Sequence, residues 1–310
     1  MNLHEFKEDF YAIANIVSRY KNIPEKAVIR DYYIVLMLDK LGKSEYAEKC
    51  VFKGGTSLSK CYPNTIERFS EDIDLTYLGI DEDDNTCDKA IRGIIRVMTE
   101  GANVAKIPGE GSSRSKSRKV WFDSESDNVK LEIGSTVRPD PYYKKTIKSY
   151  IHEYFEEHGM IEQIKEFGLV SVELNTLAIE RTFLDKVMAV KRHAICGSLN
   201  TKVRHIYDVV KMFDLSEIQN FLKDKKELKR ILKLTKETDS YYLEKRNISK
   251  EYNPLGAYDF DSWKGYFNED IKKIYERLHE ELLYTDEKQD FNLAIKTFEQ
   301  INEVFKSIDE

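Results

Sequence analysis

Lys53-Gly54-Gly55-Thr56-Ser57-Leu58 and the later Arg68-Phe69-Ser70-Glu71-Asp72-Ile73-Asp74-Leu75 are the segments on which the reading of this chain turns. Ahead of the first, Cys50-Val51-Phe52 is a short strand-like run; Gly54-Gly55 makes a turn, and Thr56 to Tyr62 can start a helix. Strand, glycine turn and helix form a geometry that handles phosphate. Glycines let the backbone approach closely, and the helix N-terminus offers free amides and a favourable dipole. Thr56 and Ser57 are expected to add hydroxyl donors. Taken alone, the two glycines read better as a plain tight turn.

Asp72-Ile73-Asp74-Leu75 alternates acid and apolar residues, and a strand sends alternate side chains to opposite faces. With a strand predicted over Ile73 to Tyr77, both carboxylates project on one side while Ile73 and Leu75 enter the core. Two like charges that close repel unless a cation neutralises them, which Mg²⁺ with oxygen ligands does. Leu131-Glu132-Ile133 repeats the arrangement on a candidate neighbouring strand, Val129 to Ile133, so Asp72, Asp74 and Glu132 are candidate ligands of a two-metal site. A DxD on a solvent-facing strand is the plainer alternative for the first two acids by themselves.

Together the two quoted segments closely resemble the paired signature of the AbiEii/AbiGii toxin family within the DNA polymerase β-like nucleotidyltransferase superfamily. The resemblance implies an α+β fold: a nucleotidyltransferase-fold N-terminal domain, built as a small mixed sheet with helices on one side, followed by a mainly helical C-terminal domain. It implies a nucleoside triphosphate held at Lys53, Gly54, Gly55, Thr56 and Ser57, and divalent metal, Mg²⁺ or Mn²⁺, held by Asp72 and Asp74. Glu132 matches the third superfamily acid by position and strand context. By the same resemblance the protein is a metal-dependent nucleotidyltransferase, the toxin of a toxin–antitoxin or phage-defence (abortive infection) pair. Its acceptor would be an RNA hydroxyl, the tRNA 3′ end being the best guess, and its partner a cognate antitoxin. A small-molecule or protein acceptor is one competing reading; a nucleotide-binding module without catalysis is another, which the presence of all three acids and the glycine turn disfavours.

Two later segments also resemble family motifs. In Glu180-Arg181-Thr182-Phe183-Leu184-Asp185-Lys186, a helical projection puts Lys186 with Ile179, Phe183, Val187 and Val190, and Glu180, Arg181, Asp185, Lys191 and Arg192 opposite. An ammonium on an apolar face must meet a structural carboxylate or a ligand anion. The family carries a lysine here, which implies phosphate binding. In Lys202-Val203-Arg204-His205-Ile206-Tyr207-Asp208, Arg204, His205, Asp208 and Lys211 share a face, and spacing alone reads Arg204 and Asp208 as a surface ion pair. The family places an aspartate at the position of Asp208, with the preceding basic residue, in or near its active site. It thereby implies catalytic roles for Lys186 and Asp208 and nucleotide binding for Arg204. Many members have an acid where this chain has His205, so His205 receives no role.

Around these motifs, the first fifty residues read as helices, with Phe6, Phe10, Ile13 and Ile16 at helical spacing as packing positions and Pro24 suited to a first turn. Asp81-Glu82-Asp83-Asp84 reads as a solvated acidic loop before a helix over Cys87 to Glu100. Val120 to Asp123 and Val129 to Ile133 read as strands joined by a polar turn. Arg114-Ser115-Lys116-Ser117-Arg118-Lys119 reads as a basic, flexible loop suited to RNA phosphates, or simply a solvated one. From Leu177 the pattern becomes helical, interrupted at Asn253-Pro254-Leu255-Gly256, so the boundary is predicted near residue 175, giving domains 1–175 and 176–310. Residues 216–310 carry no readable motif.

At 310 residues, 41% hydrophobic and 34% charged, the chain can bury a core in each of two modest domains. A net charge of −6 argues against a protein that coats nucleic acid nonspecifically. No run approaches the roughly 20 apolar residues of a membrane helix, and Met1 to Phe10 carries acids where a signal peptide has an apolar run, so a cytoplasmic location without membrane partners is expected. Cys50, Cys61, Cys87 and Cys196 form no CxxC pair and are expected to be reduced thiols.

Overall fold

Short alternating runs in the first 177 residues become strands of one sheet, and the long 3.6-period segments after them become helices. The computed structural model describes residues 1–243, 251–284 and 288–309. Its chain divides into two units, one of Met1–Tyr62 with Phe69–Leu177, the other of Pro63–Arg68 with Ala178–Glu310. The division therefore falls after Leu177, and six residues ahead of the DxD strand group with the helical part.

In the first unit, α1 (Lys7–Lys21) and α2 (Glu25–Gly42) precede β1 (Cys50–Lys53), α3 (Gly54–Cys61), β2 (Asp72–Tyr77), α4 (Asp84–Met98), β3 (Asn103–Gly111), β4 (Ser115–Trp121), β5 (Val129–Gly134), β6 (Tyr142–Ile147), α5 (Tyr150–Glu157), α6 (Ile161–Glu166) and β7 (Val172–Leu177). The strands form a seven-stranded mixed sheet in the order β3-β4-β5-β2-β1-β7-β6. β2 runs parallel to β5 and antiparallel to β1, and β1 runs parallel to β7. In-register partners share a face. Phe52, Leu75 and Ile133 thus stand together on the face that α2 and α4 cover, all buried. α2 is buried almost all round, from Ala27 to Leu41, which makes it the central helix of this layer.

Several local expectations change. The buried stripe of α1 is Phe10, Ala14 and Val17, while Phe6 and Ile16 are about half exposed. Pro24 is the N-cap of α2 and lies just outside its first turn. The acidic loop is exposed but structured: Asp83 caps α4 by accepting from the amides of Asn85 and Thr86, and Glu82 accepts from the Tyr77 hydroxyl.

In the second unit, α7 (Ile179–Ile195), α8 (Val203–Phe213), α9 (Ser216–Lys223) and α10 (Lys225–Leu243) are followed by the short α11 (Phe260–Trp263), α12 (Glu269–Glu276) and α13 (Leu278–Glu281), then by α14 (Phe291–Asp309). The interruption at Asn253 is a turn in which the Asn253 side-chain oxygen accepts from the amides of Leu255 and Gly256. Phe260, Trp263, Phe267 and Phe298 pack edge-on or tilted into an aromatic core. α7 departs from its projected polar outer face. Arg181 and Lys191 are buried as well as Lys186, because α8, α9, α10 and α11 all pack against this helix. Arg181 satisfies its charge on Asp185, and Lys191 donates to the Ala257 carbonyl. Burial and nearby Lys236 lower the Lys191 ammonium to about 8.

Candidate active site

The face of the sheet opposite the α2–α4 layer carries the polar row. Lys53, Asp74, Glu132 and Ser117 are in-register partners across β1, β2, β5 and β4, and Asp72 is partnered by Lys130 in the next row. Alternation in β2 and β5 produces this grouping: Asp72 and Asp74 alternate with the buried Ile73 and Leu75, and Glu132 falls between Leu131 and Ile133, so the three acids project together.

Gly54 is fixed by two constraints. Its φ is +84°, and a Cβ built there would lie 2.9 Å from Asp74 Cγ and closer still to Oδ2. The Asp74 carboxylate therefore rests against the turn in space that only glycine leaves. The turn opens directly into α3, whose N-cap, Lys53, makes no side-chain capping bond. The hydroxyls behave otherwise than expected. Thr56 and Ser57 are buried, Thr56 donating to the Asp72 carbonyl and Ser57 to the Gly54 carbonyl at 3.0 Å. They brace the turn against β2, which leaves backbone N–H groups as the donors the turn could offer an anion. The other end of α3 is anchored by Lys60, whose ammonium lies 2.8 Å from Asp31 on α2 and 4.1 Å from the centre of the Tyr150 ring.

Glu132 is engaged. Lys130 forms an ion pair with it and another, at 2.9 Å, with Glu110. Among the described residues, no group of three or more His, Cys, Asp and Glu side chains is arranged to hold a metal ion as it stands. The donor chemistry nevertheless suits a hard divalent cation, since three carboxylates share one face.

In the helical unit, Asp208 is fully buried and binds two cations. Arg68 approaches it with both Nε and Nη2, at 2.6 and 2.7 Å, and Lys186 Nζ lies 2.7 Å away. Burial pushes the carboxyl upward, but Arg68 and Lys186 outweigh it and hold Asp208 well below the usual carboxylate range. Lys186 thus has its carboxylate. The surface pair expected between Arg204 and Asp208 does not form. Arg204 has no ion-pair or hydrogen-bond partner among the described residues, and it lines a cavity of about 500 Å³ with Asn200, Thr201, Lys273 and Arg277. His205 Nδ1 is buried and without a partner; burial and nearby Lys186 push its pKa well below the ordinary value.

The basic segment at 114–119 is no loop. From Ser115 it is β4, and three of its four charges are paired locally: Arg114 on Asp84 and the carbonyls of Gly79, Ile80 and Glu82, Lys116 on Asp88, and Lys119 on Glu125, while Arg118 donates to the Ser117 carbonyl. Sequence reading also missed Arg68 and Lys130. Arg68 had no local signal, since its partner is 140 residues away. Lys130 was accessible, because it stands two residues from Glu132 and so shares its face.

The family model described as nucleotidyl transferase AbiEii toxin, type IV toxin–antitoxin system, matches residues 35–304. The chain belongs to the AbiEii family. An AbiEii protein is a nucleotidyltransferase toxin of a type IV toxin–antitoxin system, with a nucleoside triphosphate as substrate and an antitoxin as counterpart. Among solved structures, MenT4, a nucleotidyltransferase toxin from Mycobacterium tuberculosis H37Rv, is 18% identical, covering 95% of this chain and 97% of its own, with a TM-score of 0.48. JHP933 from Helicobacter pylori is 15% identical, covering 93% and 99%, with a TM-score of 0.39. Comparison with curated proteins gives no match. Among the described residues, no helix of this AbiEii chain is long and apolar enough to cross a membrane.

Proposed function

We propose that this AbiEii protein transfers a nucleoside monophosphate from a nucleoside triphosphate to a hydroxyl of an RNA, the tRNA 3′ end being the acceptor that best fits the reading, and that it does so with Mg²⁺ or Mn²⁺. The observation that carries the proposal is the register of β2 and β5, which sets Asp74 opposite Glu132 with Asp72 on the same face, beside the Gly54 turn.

The first-turn amides of Gly54 to Ser57 bind the triphosphate, with Lys53 at their edge. Asp72, Asp74 and Glu132 hold divalent cations, which when bound lower the pKa of the acceptor hydroxyl and offset phosphate charge. In the transfer, the acceptor hydroxyl gives up its proton to solvent as its oxygen bonds to the α-phosphorus, the bond from that phosphorus to the β-phosphate oxygen breaks, and pyrophosphate departs with the electron pair. In the helical unit, Lys186, oriented by Asp208, and Arg204 are the groups suited to a nucleotide phosphate.

The test is incubation with total cellular RNA and each α-labelled triphosphate in turn. Asp72→Asn and Asp74→Asn should each abolish incorporation while circular dichroism and melting temperature stay at wild-type values. Retained incorporation refutes the assignment of these carboxylates.

A further inference from the structure

The cavity of about 500 Å³ in the helical unit lies between the start of α8 and the pair α12 and α13. α12 buries Ile271 and Tyr275, while Ile274 between them lines the cavity with Leu278 and Leu282 and is 39% exposed. Three basic side chains, Arg204, Lys273 and Arg277, stand at the same cavity. Arg277 is held by Glu280 at 2.7 Å and Lys273 is loosely matched by Asp270 at 3.8 Å, whereas Arg204 has no ion-pair or hydrogen-bond partner among the described residues. An unmatched guanidinium beside an uncovered apolar wall suits a ligand that carries an anion at one end and an apolar ring at the other. No described residue lining the cavity is a carboxylate, so it offers no ligand to the divalent ion that accompanies a triphosphate. A phosphodiester, singly charged, needs no such ion to be bound by a guanidinium.

We propose that this cavity receives an unpaired nucleotide of the RNA acceptor, Arg204 binding its phosphate while Ile274, Leu278 and Leu282 cover the face of its base. The Asn200 side chain, which makes no hydrogen bond among the described residues, stands in the lining and supplies both a donor and an acceptor for the base edge. The space is that of one small-molecule ligand and excludes a duplex, whose bases are turned inward, so the nucleotide taken is a single-stranded one. The inference rests on the RNA-acceptor reading above and adds to it the part of the chain that holds the acceptor; it does not depend on the metal assignment.

Fluorescence anisotropy of a labelled single-stranded RNA of about eight nucleotides, titrated with the full chain in the absence of triphosphate, tests it without recourse to activity. Arg204→Gln should weaken binding roughly tenfold and shrink the slope of log affinity against log salt by about 0.7, the share of one phosphate contact. Ile274→Ala should weaken binding roughly fivefold with the slope unchanged, because only apolar contact is lost. Both variants should melt within about 2 °C of wild type, since Arg204 leaves no partner stranded and Ile274 is exposed. In equilibrium dialysis with Mg²⁺, both should bind α-labelled triphosphate within about twofold of wild type. RNA affinity unchanged in either variant overturns the proposal, and so does a loss of triphosphate affinity as large as the loss for RNA, which assigns the cavity to the triphosphate; labelling of RNA by the wild type survives both. A wild type that does not bind the oligonucleotide also overturns the proposal, and if total RNA stays unlabelled as well, the acceptor reading falls with it.

Discussion

Replacing Asp208 with Asn separates a structural carboxylate from a catalytic one. Asp208 accepts two hydrogen bonds from Arg68 and one from Lys186, and the two cations are 3% and 8% exposed at their side chains. The amide of Asn can accept from one of them and compensates neither charge. Breaking a buried pair from one side costs about 3–5 kcal/mol, because the charges left behind stay desolvated. At roughly 2–4 °C per kcal/mol for units of this size, the melting temperature should fall by about 6–20 °C. The pH dependence has a fixed sign. The folded-state pKa of Asp208 is depressed, so its contribution is complete above the ordinary carboxylate value of about 3.9 and is lost only as pH falls below it. The gap between wild type and variant in thermal melts should therefore be constant from pH 8 to pH 5. Adding Lys186→Met should recover part of the loss, since it removes one of the stranded cations. A melting temperature within 2 °C of wild type for Asp208→Asn would refute the view of Asp208 as the keystone of the helical unit.

Gly54→Ala meets both a positive φ and the Asp74 carboxylate, so it should cost roughly 1–2 kcal/mol of stability and, by displacing that carboxylate, about 100-fold in nucleotide transfer; a melt and a single-turnover assay check the two halves. The depressed pKa of His205 means that folding keeps the ring neutral, so its penalty appears as pH falls through the ordinary value of 6.5 and grows below it. His205→Gln should flatten the loss of stability between pH 7 and pH 5, measured by urea denaturation at fixed pH values. Arg114→Gln removes the tether of the Gly79–Glu82 loop and should lower stability by about 1–2 kcal/mol while leaving RNA modification and its salt dependence unchanged, read by melting and by labelling at two ionic strengths.

How much of this was legible depended on whether a residue's partner lay nearby in sequence. The acids could be placed because period-two alternation fixes a face without reference to anything remote: Asp74 and Glu132 each sit between core residues in their own strands, and Asp72 stands two residues from Asp74 across the buried Ile73. The glycine turn was legible for the same reason. The neighbour relation of β2 and β5 was inferred, yet α4, β3 and β4 intervene between them in the chain. Basic residues misled. Arg114 to Lys119 looked like a flexible patch because charge density was read without partners, and the acids that neutralise it, Asp84 and Asp88 on α4 and Glu125 in the turn after β4, lie outside the segment itself. The helical projection failed for α7 in a related way. It assumes one apolar face, whereas a helix packed by neighbours on several sides buries its charged residues too, provided each finds a partner, as Arg181 and Lys191 do.

The signature Arg68-Phe69-Ser70-Glu71-Asp72-Ile73-Asp74 shows why a motif read as one function can serve two. Its arginine belongs to the helical unit and is consumed by Asp208; its aspartates begin β2 and belong to the sheet. Spacing holds them within one short segment, but the forces acting at the two ends differ. At Arg68 the requirement is a guanidinium that can meet a buried carboxylate with two parallel bonds, a geometry that lysine does not supply. At Asp72 and Asp74 it is two negative charges held on an accessible face. Arg68→Lys should consequently weaken the fold, while Asp72→Asn should spare it, and a family signature defined on the whole segment records both demands at once.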